Sequence, residues 1–344
     1  MATKSMLETS PTYELSSSLK DTSVDPELQR LLEKTWSERH DAGVGFRYQL
    51  NIERERVADG RFGFLILLNR QRLTERRQPY AFLLDAPFDA SRFNFTRIDP
   101  AEIQVELLCP LPVTVLINNS PVTVYHSLVV PDRQGSHSQL LTPEGIRVPF
   151  ELLLRLPDRR YRIGYNSPGA QASVNHLHLH LLRIDTDLYV QRTELVAIRG
   201  IPHLYRLPDD VPALGYCFVV REPTRELERV CSELQKLIDT LLDRKMAHNL
   251  FWTWTHLHEG VEIRAFVFPR SQQCVNKVAC SFNAAFLELC GFVSVGEVAD
   301  YERLTEDTIM QALRDAQGDV YGALGDLYPT ETAGPGRDQL QNGL

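Results

Sequence analysis

Residues 173–182 read SVNHLHLHLL and place three of the chain's ten histidines at alternate positions. Side chains alternate across a β-strand, so His176, His178 and His180 are predicted to share one face while the intervening leucines face the core. On a helix, each step of two residues would turn the side chain by about 200° and scatter the rings. The pattern therefore predicts a strand that carries a row of imidazoles.

Three explanations fit a row of imidazoles. A half-exposed strand can carry histidines without any chemistry, although three protonated rings on one face repel each other at low pH. Zinc binding is the second, but the sequence contains neither HExxH nor CxxC to supply further ligands. The third is nucleophilic catalysis at phosphorus, in which the central imidazole attacks and its neighbours orient it and bind phosphoryl oxygens. Only the third uses all three positions, so the sequence predicts no metal and no cofactor.

The segment just before the histidines suits a phosphate. Residues 166–175 read NSPGAQASVN and supply Gly169, the hydroxyl of Ser173 and exposed backbone amides. Amide and hydroxyl donors of this kind hold phosphate groups in proteins. Joined to the histidines, the segment predicts a phosphate-binding loop.

The composition limits the class of protein. The chain has 344 residues, a formal net charge of −8, 43% hydrophobic and 24% charged residues, as in ordinary soluble proteins. An acidic balance argues against a nucleic-acid or anionic-membrane binder. The six cysteines are scattered without a CxxC pair, and neither a signal peptide nor an apolar membrane span is evident. These features predict a cytoplasmic protein; nothing in them indicates the oligomeric state.

Regular elements follow one another in an order that occurs twice. Helices are predicted after Asp25, after Thr142 with an interruption near Pro149, and after Thr305, each residue acting as an N-cap. Strands, among them residues 80–85 and 93–98, then a helix and further strands form a first unit, and the same order returns without the histidines. The predicted divisions are a disordered segment 1–25, a first unit 26–188 carrying the active site, a degenerate second unit 189–328 and a flexible tail 329–344.

Two segments resemble a known superfamily. HLHLHLL at 176–182 resembles the histidine-triad signature of nucleotide hydrolases and nucleotidyl transferases. INNSPVTVYHSLVVP at 117–131 resembles the strand pair that comes earlier in that family. The resemblance implies that Asn118 binds ribose hydroxyls and that His126 supports the triad. It also implies an α+β fold of tandem histidine-triad-like units, each an antiparallel sheet with packed helices, with the second unit degenerate.

Two further stretches narrow the resemblance. LLNRQRLTERRQP at 67–79 and FDASRFNFTRI at 88–98 are similar to the branch that contains the GDP-D-glucose and GDP-L-galactose phosphorylases. The resemblance implies a GDP-sugar and inorganic phosphate as substrates, with a covalent guanylyl group on His178. Arg72, in a cluster with Arg70, Arg76 and Arg77, is a candidate phosphate ligand, although such a cluster also fits a solvated basic turn.

The sequence departs from the family pattern in two places. Residues 171–174 read QASV where related hydrolases have Gly-Gln-Ser or Gly-Gln-Thr before the valine, so only Ser173 is carried over. The third triad position is His180, as in hydrolases, where related transferases have glutamine. Hydrolysis of a nucleotide sugar or dinucleotide to a nucleoside monophosphate therefore stays an alternative, as does a nucleotide-binding protein without activity.

Overall fold

Strands from both halves of the chain join into one sheet in the computed structural model, which describes residues 12–14, 24–76, 80, 82–108, 111–257, 260–274 and 281–328. Among these residues, the large sheet has the order β1-β4-β5-β6-β8-β7-β12-β13-β11-β10-β9. All its pairs are antiparallel except β1 with β4. A small sheet has the order β14-β3-β2.

The elements have the following bounds. The strands of the large sheet are β1 (Thr12–Glu14), β4 (Ile103–Leu108), β5 (Pro112–Ile117), β6 (Ser127–Pro131), β7 (Tyr161–Asn166), β8 (Leu179–Arg183), β9 (Val196–Ala197), β10 (Leu204–Arg206), β11 (Tyr216–Val220), β12 (His248–Leu257) and β13 (Gly260–Pro269). Those of the small sheet are β2 (Arg54–Val57), β3 (Leu65–Leu68) and β14 (Phe292–Val295). The helices are α1 (Pro26–Ala42), α2 (Arg70–Glu75), α3 (Pro143–Arg155), α4 (Tyr189–Arg192), α5 (Pro223–Asp243), α6 (Phe286–Cys290), α7 (Val298–Arg303), α8 (Glu306–Gln317) and α9 (Val320–Leu324).

A repeated arrangement confirms the predicted tandem fold. The series β6, α3, β7, β8 returns as β11, α5, β12, β13, with neighbour orders β6-β8-β7 and β11-β13-β12. The copies meet where β7 pairs antiparallel with β12, from Arg162 opposite Thr253 to Asn166 opposite Asn249. β13 takes the place of β8 in the second copy and contains no histidine. The boundaries 26–188 and 189–328 stay predictions.

The sheet has an apolar core on each face. Leu177, Leu179 and Leu181 are buried in the core that also contains side chains of α1, α3 and α5. Leu182 points the other way, into a second core with side chains of α6 and α8. The predicted burial of the leucines between the histidines is confirmed.

The predicted helix starts are confirmed, and one predicted interruption is wrong. Asp25 accepts hydrogen bonds from two amides of α1, Thr142 accepts one from Gly145, and Thr305 caps α8. α3 continues through Pro149. Proline removes one helical hydrogen bond, and burial of the residues around Pro149 in α3 offsets that loss.

Three predicted strands differ from the structure. Residues 80–85 form no strand among their described members, and the Leu84 amide donates instead to the Gln273 side chain. The stretch 93–98 contains a 3-10 turn because the Asn94 side chain caps the Thr96 amide. Residues 173–178 form a loop, so only His180 of the three histidines lies in a strand.

The two ends of the chain lie mostly outside the described residues. Within the segment 1–25 that was expected to lack order, Thr12–Glu14 forms a strand beside β4, while residues 1–11 and 15–23 are not described. The expected flexible tail 329–344 falls wholly outside the described residues.

At Gly164 the fold leaves no room for a side chain. A β-carbon there would lie 2.0 Å from Cε2 of Phe286, at the start of α6. We expect Gly164→Ala to lower the free energy of unfolding by about 1–3 kcal/mol, because the phenylalanine must move within a packed core. Urea denaturation of the parent and the variant measures this free energy of unfolding. Gly145→Ala is the control: its β-carbon would lie 3.4 Å from the nearest atom, in a helix, so equal losses in both variants would contradict the prediction.

Candidate active site

A cavity of about 280 Å³ lies beside the loop that carries the histidines. Its wall includes His178, His180 and Ser173 from that loop and from β8, together with Asn118 and His126 from the segment joining β5 to β6. The two segments that supply these residues are separated by more than forty positions in the sequence. The structure therefore brings together the two segments that carry the superfamily resemblance.

Hydrogen bonds assign the lone pair of His178. Its ring Nδ1 lies 2.8 Å from the carbonyl oxygen of His176, and a carbonyl oxygen only accepts, so Nδ1 carries the proton. In a neutral imidazole the lone pair is then on Nε2. The His178 side chain is buried except where it lines the cavity. The residue is thus a buried imidazole whose basic nitrogen is Nε2.

The His126 ring lies between the ring of His180 and the side chain of Asn118. The Val122 amide donates to Nδ1 of His126 over 3.1 Å, which places the His126 proton on Nε2. Nε2 can therefore donate to Nδ1 of His180, 3.0 Å away, whereas Nδ2 of Asn118, 2.9 Å away, is itself a donor and makes no hydrogen bond to a protonated Nε2. Burial holds the pKa of His126 well below its usual range, with a smaller contribution from nearby Arg72. A neutral His126 that donates to Nδ1 of His180 directs the His180 proton to Nε2.

Two residues predicted for the site lie outside the cavity wall. His176 is fully buried, and its Nδ1 accepts from the Phe95 amide over 3.0 Å. Burial lowers the pKa of His176 to about 4, helped by His137. Gly169 lies in a turn with φ +70°, and a β-carbon there would contact Gln273. Neither residue lines the cavity. Of the three histidines predicted to share one strand face, His178 and His180 line the cavity and His176 does not.

The arginine cluster divides between the cavity and the surface. Arg72 and Arg76 line the cavity. Arg72 donates to the carbonyl oxygen of Ser120, and burial lowers the pKa of Arg76 from its ordinary value. Arg70 is exposed and forms an ion pair with Glu53. Arg77 lies outside the described residues.

The second half of the chain closes the cavity. Phe286 of α6 places its ring 5.3 Å from that of His180, centroid to centroid. Glu288, on the same helix, lines the cavity, and burial raises the pKa of its carboxyl to about 7. Neither residue could be predicted from the sequence, because their segment contains no chemical motif.

Aromatic residues form another part of the wall that the sequence analysis missed. Phe93 and Phe95 line the cavity beside the 3-10 turn. Phe95 lies 5.1 Å from His178 and 5.5 Å from His176, centroid to centroid. The sequence predicts a strand at residues 93–98, and apolar residues by themselves do not indicate a ligand-binding wall. Such side chains provide the apolar surface on which a planar base can pack.

The described residues contain neither a metal-binding cluster nor a membrane-spanning helix. No group of three or more His, Cys, Asp or Glu side chains in that part of the chain is arranged to hold a metal ion. None of the helices described is long and apolar enough to cross a membrane.

Comparison with known proteins identifies the family. Models described as GDPGP1-like, N-terminal domain and GDPGP1-like, C-terminal domain match residues 27–182 and 212–317. GDP-D-glucose phosphorylase 1 of Danio rerio is 34% identical over 298 residues, covering 82% of this chain and 84% of that protein. This chain belongs to the GDPGP1-like family. The predicted resemblance to the branch that contains the GDP-D-glucose phosphorylases is therefore confirmed.

Other members and a solved structure extend the comparison. GDP-D-glucose phosphorylase 1 of Homo sapiens is 31% identical over 299 residues, covering 82% of this chain and 77% of that protein. GDP-L-galactose phosphorylase 2 of Arabidopsis thaliana is 25% identical over 321 residues, covering 84% and 72%. The crystal structure of yeast Ap4A phosphorylase Apa2 in complex with AMP has a TM-score of 0.61 at 16% identity, covering 85% of this chain and 97% of that chain. This last likeness concerns the fold.

Buried imidazoles predict how stability of this GDPGP1-like protein depends on pH. Burial lowers the pKa of His176 and of His248 in β12 to about 4, and that of His126 well below its usual range. In the unfolded chain these rings take up protons near pH 6.5, so stability falls as pH drops from about 6.5 toward 4. Glu288 acts in the opposite direction, because its raised pKa favours the folded state at lower pH, but it is one group against three.

We expect the melting temperature to fall as the pH drops from about 6.5 to about 5 in the parent, and to fall less steeply in His248→Phe. The variant removes one titrating group that does not line the cavity. Differential scanning fluorimetry across this range measures both slopes. Identical slopes in the two proteins would contradict the assignment of His248 as a buried neutral ring.

Proposed function

We propose that the protein catalyses phosphorolysis of GDP-D-glucose by inorganic phosphate, giving GDP and glucose 1-phosphate. The observation that carries the proposal is the hydrogen bond from His178 Nδ1 to the His176 carbonyl, which leaves a basic Nε2 on a ring that lines the cavity. Several relatives are named GDP-D-glucose phosphorylase 1, which supports this substrate. The plant relatives named GDP-L-galactose phosphorylase support the same reaction class.

The first step is attack of His178 Nε2 on the α-phosphorus of the GDP-sugar. The new P–N bond forms as the bond from the α-phosphorus to the bridging oxygen breaks, and glucose 1-phosphate leaves with that oxygen. The leaving group is a stable phosphate monoester whose second pKa is about 6, so a strong general acid is unnecessary. The covalent intermediate replaces one difficult transfer by two easier displacements at the same phosphorus.

The second step returns the nucleotide to phosphate. An oxygen of inorganic phosphate attacks the same phosphorus from the side that the sugar phosphate left, the P–N bond breaks, and GDP departs. His178 regains its Nε2 lone pair. Atoms balance over the two steps, with no redox change and no cofactor.

Other residues of the cavity provide orientation and charge stabilisation. We propose that His180, with its proton directed to Nε2 by His126, donates to a non-bridging oxygen, and that the Ser173 hydroxyl does the same. Arg72 is the proposed ligand of the incoming phosphate, and Asn118 that of the ribose. His176 contributes the carbonyl that sets the tautomer of His178. Gly169 has no role in this mechanism because it lies outside the cavity wall.

Hydrolysis is the second candidate, favoured by histidine at position 180, where related transferases have glutamine. Water would then replace phosphate in the second step, and GMP would replace GDP. If the protein binds nucleotides without catalytic activity, we expect no turnover of GDP-glucose with either phosphate or water. A cytoplasmic location remains a prediction of the sequence.

We expect His178→Asn to lower kcat by at least about 10⁴-fold and to abolish a guanylyl adduct that the parent forms with GDP-glucose alone. Liquid chromatography of GDP, GMP and glucose 1-phosphate measures turnover, and intact-protein mass measures the adduct. His256→Asn, at an exposed position of β12, is the control and should behave as the parent. Formation of GMP at a rate independent of phosphate would exclude phosphorolysis and support hydrolysis. A panel of GDP-sugars in the same assay ranks the hexoses.

Arg72→Gln should raise the KM for phosphate about 10–100-fold, because a charged hydrogen bond to phosphate contributes about 1.5–3 kcal/mol. Initial rates at varied phosphate give this constant. Arg70→Gln is a matched control on the same helix, since Arg70 is paired with Glu53 outside the cavity. An equal rise in both variants would argue against Arg72 as a phosphate ligand.

A further inference from the structure

The backbone of His178 lies just beyond the end of the sheet. β8 begins at Leu179, whose partner on β6 is Val129, and the ladder between β8 and β7 ends at His180 opposite Gly164. His178 therefore lies outside the residue ladders that pair β8 with β6 and β7. Buried N–H and C=O groups need hydrogen-bond partners, so another part of the chain must supply them.

The side chain of Gln139 supplies these partners. The His178 amide donates to Oε1 of Gln139 over 2.9 Å, and Nε2 of Gln139 donates to the His178 carbonyl over 3.0 Å. The same Nε2 donates over 2.9 Å to the carbonyl of Asn166, the last residue of β7. One amide thus takes the place of a strand at the point where β7 and β8 separate.

Gln139 is itself held in place. It is fully buried. Its main-chain amide donates to Oδ1 of Asn175 over 2.9 Å, and its main-chain carbonyl accepts from the Tyr165 hydroxyl over 2.6 Å. Polar contacts therefore fix both its main chain and its side chain. Such a satisfied buried network is rigid, because every alternative arrangement leaves a polar group unpaired.

We propose that Gln139 is a positioning residue that holds the main chain of His178, and with it the reacting nitrogen, in the geometry for attack on phosphorus. The inference rests on the proposed function for the identity of His178 as nucleophile. Reacting atoms must lie within a few tenths of an ångström of the productive position, and a displacement of about 1 Å costs on the order of 100-fold in rate. Gln139 acts on His178 through hydrogen bonds and does not line the cavity.

The chain contains a matched control for this contact. Gln317 is also fully buried, and its side chain holds the backbone of Leu214 in the same manner. The Leu214 amide donates to Oε1 over 2.9 Å, and Nε2 donates to the carbonyls of Leu214 and Pro269 over 2.7 and 3.2 Å. Neither Gln317 nor Leu214 lines the cavity. The two glutamines make the same set of three bonds, one next to the proposed nucleophile and the other away from it.

The experiment compares Gln139→Leu with Gln317→Leu. We expect both substitutions to lower the melting temperature, because each removes the hydrogen bonds that the glutamine side chain makes to three backbone groups. Only Gln139→Leu should lower kcat and the rate of guanylyl-protein formation, by about 100-fold, with the KM for GDP-glucose within about threefold of the parent. Gln139→Glu keeps the shape and the acceptor but loses the donor. It should also lower kcat, and it provides the test if the leucine variant does not fold.

Hydrogen–deuterium exchange gives a readout that does not depend on the reaction. The His178 amide should exchange faster in Gln139→Leu than in the parent and should be unchanged in Gln317→Leu. If the parent shows no phosphorolysis, the proposed function fails, while the exchange data still decide whether Gln139 holds His178. Equal losses of kcat in the two leucine variants, or unchanged exchange of the His178 amide in Gln139→Leu, would overturn the inference.

Discussion

The antiparallel pairing of β7 with β12 is the interaction on which the rest of the structure depends. It joins the two units into one sheet, and the Asn249 side chain donates to Oδ1 of Asn166 over 2.6 Å at the end of that pair. The same Oδ1 accepts from the Phe286 amide over 3.1 Å. Asn166 therefore fixes the start of α6, which places the Phe286 ring against His180 and brings Glu288 to the cavity wall. Residues from the second half of the chain thereby help to form the cavity that His178 and His180 line.

Hydrogen bonds, more than charge, set the chemistry of the cavity. Burial keeps His126 neutral, so its ring carries a single proton whose position is set by the Val122 amide. The His176 carbonyl fixes the proton of His178 in the same way. Two adjacent rings thus acquire different roles, a basic nitrogen on His178 and a donor on His180. Arg72 and Arg76 add positive charge at the same cavity, which matches the negative charge of the proposed substrates.

The candidate site was only partly predictable from the sequence. Alternation placed the leucines in the core and correctly grouped His178 with His180, but it extended the strand too far. The reason is that the residues before β8 take their hydrogen bonds from loop partners such as His137 and Gln139, which periodicity cannot indicate. Gly169 fits a phosphate-binding loop by residue type, but it does not line the cavity.

The sequence by itself determined the helix starts at Asp25, Thr142 and Thr305, the burial of the leucines and the family of the chain. These features depend on neighbours a few residues away or on a contiguous motif, so they can be read locally. Only the tertiary structure decided which ring nitrogen of His178 is basic, which arginines reach the cavity, and that α6 closes it. These outcomes depend on hydrogen bonds and packing between residues far apart in the chain, which form only when the two units share one sheet.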